Sequence, residues 1–345
     1  NVDNFIVLKE NSASGTNIPF DATINATKDI ISVDPTSDFN SEQTVFVEIC
    51  CVVDDDDNLI TTTNSTFTTA DVDPPTVTFD PGHGEIDVPV DKTISLAFSE
   101  AIRKADDNSE LDNSNVDGFI TLKKNDASGD DILFDATINA TKDTVFVNPT
   151  SDFNSEQRVY VAINDQVVED DADNAIDLTF AIFTVEDTEP PTITFFPVDA
   201  ATGVPVATIP TITFNEPVQN IDNSAMTNNN VDALITFKDT DASGADISMD
   251  ATINAVNTVV TLTPTADFAS EKDVFICVDP VADEHGNQSI QQCATFKTSD
   301  VILPTVIWDP PNGSIDVSVS KTVTLTFSEA VRNENDSDLT NDNVD

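Results

Sequence analysis

The sequence predicts an all-β protein, a linear rod of tandem seven-stranded antiparallel β-sandwiches. Three observations predict it. The chain repeats itself with a period near 114 residues. Within each repeat, apolar and polar residues alternate in short runs, the period of a strand with one buried face. Asp, Asn, Gly and Pro fill the gaps between those runs, as turns require.

The repeat is visible in four motifs. Asn-Val-Asp begins at Asn1, Asn115, Asn230 and Asn343; Asp-Ala-Thr-Ile-Asn begins at Asp21, Asp135 and Asp250; and Asp-Phe-x-Ser-Glu begins at Asp38, Asp152 and Asp267. The fourth is a proline joint: Asp71-Val72-Asp73-Pro74-Pro75-Thr76, Asp187-Thr188-Glu189-Pro190-Pro191-Thr192 and Asp300-Val301-Ile302-Leu303-Pro304-Thr305. Proline fixes φ and keeps the preceding residue extended, so each joint is a short, stiff connector. Phased on the joints, residues 76–189 and 192–303 are complete modules, 1–73 is the back part of a module and 305–345 the front part of another. Either the chain is cut from a longer array, or the half-modules of neighbouring copies complete one another.

Within 76–189 the alternation places strands at 76–79, 93–98, 119–123, 132–139, 144–148, 158–163 and 178–185, with room for one helical turn in 103–113. Seven short strands in about 115 residues read as a sandwich of Ig-like topology. Here a resemblance becomes specific. Pro190-Pro191-Thr192-Ile193-Thr194-Phe195, then Gly203-Val204-Pro205-Val206, then Phe214-Asn215-Glu216-Pro217-Val218 resembles the opening of the bacterial Ig-like domain of S-layer proteins and large surface adhesins. Leu262-Thr263-Pro264-Thr265 and the turn from Asp283 to Asn287 resemble its second half. The resemblance implies a sandwich used as a stalk or spacer. The long Asn/Asp-rich insertions before each Asn-Val-Asp and the extra negative charge depart from it.

The 345 residues carry 63 acidic and 14 basic side chains, a formal charge of −49. Such a field repels nucleic acid and anionic membranes, so neither is an expected partner. Cations are the natural counterpart, although solubility in salt water accounts for acidity without any specific site. No run of about 18 apolar residues suggests a transmembrane helix, so no membrane insertion is expected. No signal peptide is visible in a chain that begins inside a repeat.

Topology sharpens the expectation about cations. If the seven strands alternate in direction, the loops after the second, fourth and sixth share the pole at which the joint enters. Glu100, Glu216 and Glu329 end the second strands, each 25 residues after the last joint proline. They are therefore expected beside the joint residues Asp71, Asp187 and Asp300. The turn after the sixth strand adds Asp170 and Asp173 in the first whole module, and Asp283 in the second. Crowded carboxylates repel unless neutralised, and Ca²⁺ accepts 6–8 oxygen ligands in irregular geometry. Calcium stiffening of the joints is the functional expectation. The bland alternative is that Asp and Asn serve the turns and the Glu faces solvent. Asp54–Asp57 reads as a solvated turn.

Cys277 and Cys293 flank the turn centred on residue 285, so a hairpin would oppose them at disulfide distance. Cys50 and Cys51 are adjacent, leaving a vicinal disulfide, an interchain bridge or free thiols open. Asn25, Asn64 and Asn139 begin Asn-x-Ser/Thr triplets and are glycosylation candidates if the source glycosylates. His83 and His285 are the two histidines and show no zinc spacing. No nucleophile elbow, phosphate loop or dinucleotide fingerprint occurs, and a catalytic site has no reason to recur every 114 residues, so no enzyme is expected.

The sequence thus predicts an extracellular or cell-surface structural protein: a stalk, surface fibre or filament with calcium at its joints. Head-to-tail self-association completing the half-modules would make the filament, and joining Asn343-Val344-Asp345 to Asn1-Val2-Asp3 by overlap continues the repeat in phase. The alternative is an adhesin or carbohydrate-binding module that holds a ligand in its loops; Trp308, the one Trp, reads as strand packing.

Overall fold

The computed structural model describes residues 1–335 and 337–340. Asn343-Val344-Asp345, the fourth copy of its motif, lies outside the described residues. The chain divides into two compact units, Asn1–Asp187 and Thr188–Asp345. Among the described residues the helical segments are three single 3-10 turns, and the rest of the regular structure is strand.

In the first unit, residues 1–73 form β1 (Ile6–Glu10), β2 (Phe20–Ile24), β3 (Ile31–Pro35), β4 (Thr44–Ile49) and β5 (Thr63–Thr68). A three-stranded sheet in the order β1-β4-β5 faces a β2-β3 hairpin. The complete module follows as β6 (Val77–Asp80), β7 (Ile94–Phe98), β8 (Arg103–Lys104), β9 (Ile120–Lys124), β10 (Phe134–Ile138), β11 (Thr144–Pro149), β12 (Arg158–Ile163), β13 (Val168–Glu169) and β14 (Thr179–Thr184). Its two sheets have the orders β10-β11-β7-β6 and β14-β12-β9, the four-plus-three arrangement of an Ig-type sandwich. All seven expected strands are present, with ends shifted by a residue or two.

The pattern in the sequence becomes the core. Along β7, Ile94, Leu96 and Phe98 are buried while Ser95 and Ala97 face outward. Val145 and Val147 join them from β11, and Leu122, Val161, Ile163, Ala181 and Phe183 meet them from the second sheet. Phe153 closes this layer edge-on against Phe183, with ring centres 5.8 Å apart.

The expected helical turn in 103–113 forms elsewhere. Residues 103–104 pair as β8 with β13, and the turn is a 3-10 segment at Val116–Phe119. It recurs at Val2–Phe5 and Val231–Leu234, inside the Asn-Val-Asp motif each time. Its Asp carries a long-range hydrogen bond, which explains the position.

The second unit has β15 (Ile193–Phe196), β16 (Ala201–Val204), β17 (Thr211–Phe214), β18 (Ile235–Asp239), β19 (Met249–Ile253), β20 (Val259–Pro264), β21 (Asp273–Val278) and β22 (Gln292–Thr298). Its sheets run β15-β17-β20-β19 and β16-β22-β21-β18. The eighth strand, β16, runs parallel to β22; in the first module the same segment leaves only a parallel bridge between Val88 and Val185. A final pair, β23 (Val306–Asp309) and β24 (Thr324–Phe327), forms a two-stranded sheet.

Candidate metal centre

The repeated motifs place side-chain acceptors against backbone N–H donors and so hold loops to strands. Asp3, Asp117 and Asp232, from Asn-Val-Asp, accept the backbone N–H of Ala22, Ala136 and Ala251 at 2.7–2.8 Å. Those alanines belong to Asp-Ala-Thr-Ile-Asn. The Asn closing that motif (Asn25, Asn139 and Asn254) accepts two backbone N–H groups across the next turn. The Asn139 amide also donates to Asp143 at 2.6 Å, and Asn25 does the same to Asp29. Asn64 lies exposed on β5 opposite Glu48.

The joint aspartates are held in the same way. Ser41, Ser155 and Ser270, from Asp-Phe-x-Ser-Glu, donate their hydroxyls to Asp71, Asp187 and Asp300 at 2.6–2.8 Å. Ser41 and Ser270 in turn accept the N–H of Val72 and Val301. A joint Asp is thereby fixed by the back of the module that precedes it.

The turn after the sixth strand is built on one aspartate. Asp170 is fully buried; its Oδ1 accepts the N–H groups of Ala172 and Asn174, and its Oδ2 accepts from the Asn174 amide at 2.8 Å. Asp54 with Asn58 and Asp283 with Asn287 repeat this arrangement. At Asp54 the bonds from the Asn58 amide and backbone N–H hold the carboxyl below the usual carboxylate range.

In the first unit these constructions converge. Carboxylate oxygens of Asp71, Glu100 and Asp170 all lie within 4.8 Å of one another, with Asp170 buried and the other two half-buried. Glu100 shows the consequence. Loss of solvent, then the charges of Asp170, Asp71 and Glu42, push its carboxyl above the usual carboxylate range, against a smaller opposing hydrogen bond from Ser99. Three oxygen donors of net negative charge, held by separate elements, suit a hard cation that favours oxygen.

Asp173 is not part of this group. Its Oδ1 accepts from Arg103 at 2.5 Å and from Asn108 at 3.0 Å. Arg103 also bonds the buried Glu169 at 2.9 Å, so the β8-β13 ribbon is closed by its own cation. The guanidinium was not singled out in the sequence, though its place on a strand opposite the acidic turn was the available signal.

In the second unit, Glu216 is half-buried at the end of β17, and Asp283 is buried. Asp187 lies in the first unit. Asp300 and Glu329 meet and hydrogen-bond. Desolvation and the charges of Asp300 and Glu271 raise the Glu329 carboxyl, while the Ile302 N–H, the Ser270 hydroxyl and Glu329 lower that of Asp300. Cys277 and Cys293 sit in register on β21 and β22 and are joined by a disulfide. Cys50 and Cys51 are thiols, the Cys51 Sγ donating to the Cys50 Sγ at 2.8 Å.

The family profile described as "Bacterial Ig-like domain" matches residues 71–184 and again 187–298. No curated protein matches the chain. Similar solved structures include the N-terminal part of the bacterial S-layer protein SbsC, at 9% identity and TM-score 0.24, covering 64% of this chain and 44% of that one. SbsC domains 1–6 are 10% identical, covering 99% and 55%, with TM-score 0.21. Mouse cadherin-23 EC22-24 is 12% identical, covering 86% of each, with TM-score 0.31. The chain thus spans about half the length of either SbsC structure.

Proposed function

The chain belongs to the bacterial Ig-like domain family, and from that premise we propose that it is a structural repeat protein of the cell surface, a stalk or fibre stiffened by calcium. The observation that carries the calcium reading is the meeting of Asp71, Glu100 and Asp170. Asp71 belongs to the joint, Glu100 follows β7, and Asp170 anchors the turn after β13. One cation bound by all three would tie the joint to two loops of the sandwich that follows. Their mutual repulsion weakens the joint when no cation is present, which is the state calcium would relieve.

Melting the 345-residue chain in CaCl₂ and in EDTA tests this. A ligand at about a hundred times its Kd stabilises the folded state by ~2.7 kcal/mol. For a unit of this size that corresponds to a Tm rise of about 5–10 °C in calcium. Equal melting in the two buffers would remove calcium from the proposal and leave the structural role standing.

A further inference from the structure

The first complete module holds a cavity of about 230 Å³, built from the acidic insertion before Val116 and the loop after β12. Its apolar lining is Leu111 and Phe119, both buried, and Val167, half-buried. Its polar lining is Lys104, Asp106, Asn115 and Gln166, and the exposed Gly118 completes it. The cavity shares no residue with the meeting of Asp71, Glu100 and Asp170.

The residues that make this cavity are those in which the module departs from its own repeat. Six residues separate Ile163 from the turn aspartate Asp170, whereas four separate Ile49 from Asp54 and Val278 from Asp283. Gln166 and Val167 lie in that longer loop, where the second complete module has Pro280. Lys104 begins the turn closed on the Ser109 carbonyl; its counterpart Asn220 begins the turn closed on the Ser224 carbonyl. Gly118 and Phe119 are matched by Ala233 and Leu234 in the equivalent 3-10 turn. The second unit builds its sandwich without these residues, so the fold does not require them. An apolar hollow with a few convergent polar groups is the ordinary form of a small-molecule site.

The polar groups offer donors and acceptors together. Lys104 Nζ pairs with Asp106 at 3.1 Å and Asp107 at 3.6 Å, so its charge is balanced, while an ammonium has three N–H groups to give. The Asn115 amide donates to the Glu110 carbonyl at 3.2 Å, and its second N–H is unused among the described residues. Gln166 Nε2 donates to Asp177 at 2.9 Å, and its Oε1 accepts nothing among the described residues. Hydroxyl groups both donate and accept, and a sugar ring carries several of them around an apolar C–H face that suits Leu111 and Phe119. A chain of charge −49 repels a small anion, but not a neutral ring. The cavity is smaller than the ~300–1,000 Å³ of sites for drug-sized ligands, which limits it to one ring. We propose that it binds a single neutral sugar, either free or at the end of a glycan.

Saturation-transfer NMR of the 345-residue chain in EDTA tests this apart from the calcium reading. The probes are methyl β-glucoside, methyl β-galactoside, methyl α-mannoside and N-acetylglucosamine at ~10 mM, since one small ring binds with a Kd of about 1–10 mM. At least one should receive saturation. A Cβ at position 118 would meet no atom within 4 Å, so Gly118→Leu should leave the melting of the first unit unchanged and abolish the transfer. Gly118→Ala, which copies the second module, and Lys104→Met should each weaken binding several-fold. Acetate and inorganic phosphate should not displace the sugar. A disaccharide ending in the ring that binds separates the sources: saturation of that ring alone assigns the end of a glycan, and loss of binding assigns the free sugar. No transfer to any of the four probes, transfer that survives Gly118→Leu, or displacement by either anion would each overturn the proposal.

Discussion

Asp117 occupies half of a device that the sequence displays three times. It accepts the N–H of Ala136, a fully buried residue on the edge strand β10. Removing the acceptor leaves a buried donor unpaired, which costs about 1–3 kcal/mol. Asp117→Ala should lower the melting temperature of the first unit accordingly, and Asp117→Asn, which keeps an acceptor, should lower it less. Glu100 makes the opposite prediction. Its carboxyl titrates above its unfolded value, so its contribution to stability is complete below the ordinary carboxylate pKa and is lost as pH rises through the raised one. Glu100→Gln should therefore raise the Tm of the calcium-free first unit at pH 7, by about 2–4 °C if ~1 kcal/mol of repulsion is removed. It should also remove most of the calcium-induced rise. Melting curves of both proteins from pH 4 to 8 in EDTA check the sign: their difference should shrink toward acid.

At the scale of the element, the strands were the readable part, because alternation states which side chain faces the core. Ile94, Leu96 and Phe98 lie buried along β7 as that alternation implies. Positions fixed by a distant partner were visible only as repetition. Asp-Ala-Thr-Ile-Asn and Asn-Val-Asp recur together because one bonds the other across 19 residues, a pairing that spacing alone does not disclose. The Ser that holds each joint Asp was hidden for the same reason. β16 was missed because Ala201–Val204 has no alternation of its own and takes its strand form from β22. Of the carboxylates expected together, Asp71, Glu100 and Asp170 meet, while Asp173 is drawn away by Arg103, whose reach depends on the β8-β13 ribbon. The loop after β9 gives a sharper test. A Cβ added at Gly129 would lie 1.6 Å from the carbonyl oxygen of Lys124. The turn cannot absorb it without moving backbone, so Gly129→Ala should cost about 2–4 kcal/mol, a size reserved for steric and core defects. Urea unfolding that returned a change below ~0.5 kcal/mol would show that the turn relaxes freely.

For the molecule as a whole, the cysteines distinguish the two units. The Cys277–Cys293 bond closes a 16-residue separation within the second unit, whereas Cys50 and Cys51 in the first are thiols. Closing a loop of about 15 residues stabilises the folded state by ~3 kcal/mol, chiefly by restricting the unfolded chain. Each unit has its own core, so calorimetry should resolve their unfolding as separable contributions. Reductant should then lower the transition of the second unit by about 6–12 °C and leave that of the first in place. Cys277→Ser with Cys293→Ser should reproduce the shift without reductant, and reductant should add nothing further to that variant. If reduction instead moved the first transition, Cys50 and Cys51 would have to be bonded in solution, and the stabilising cross-link would belong to the half-module rather than to the hairpin β21-β22.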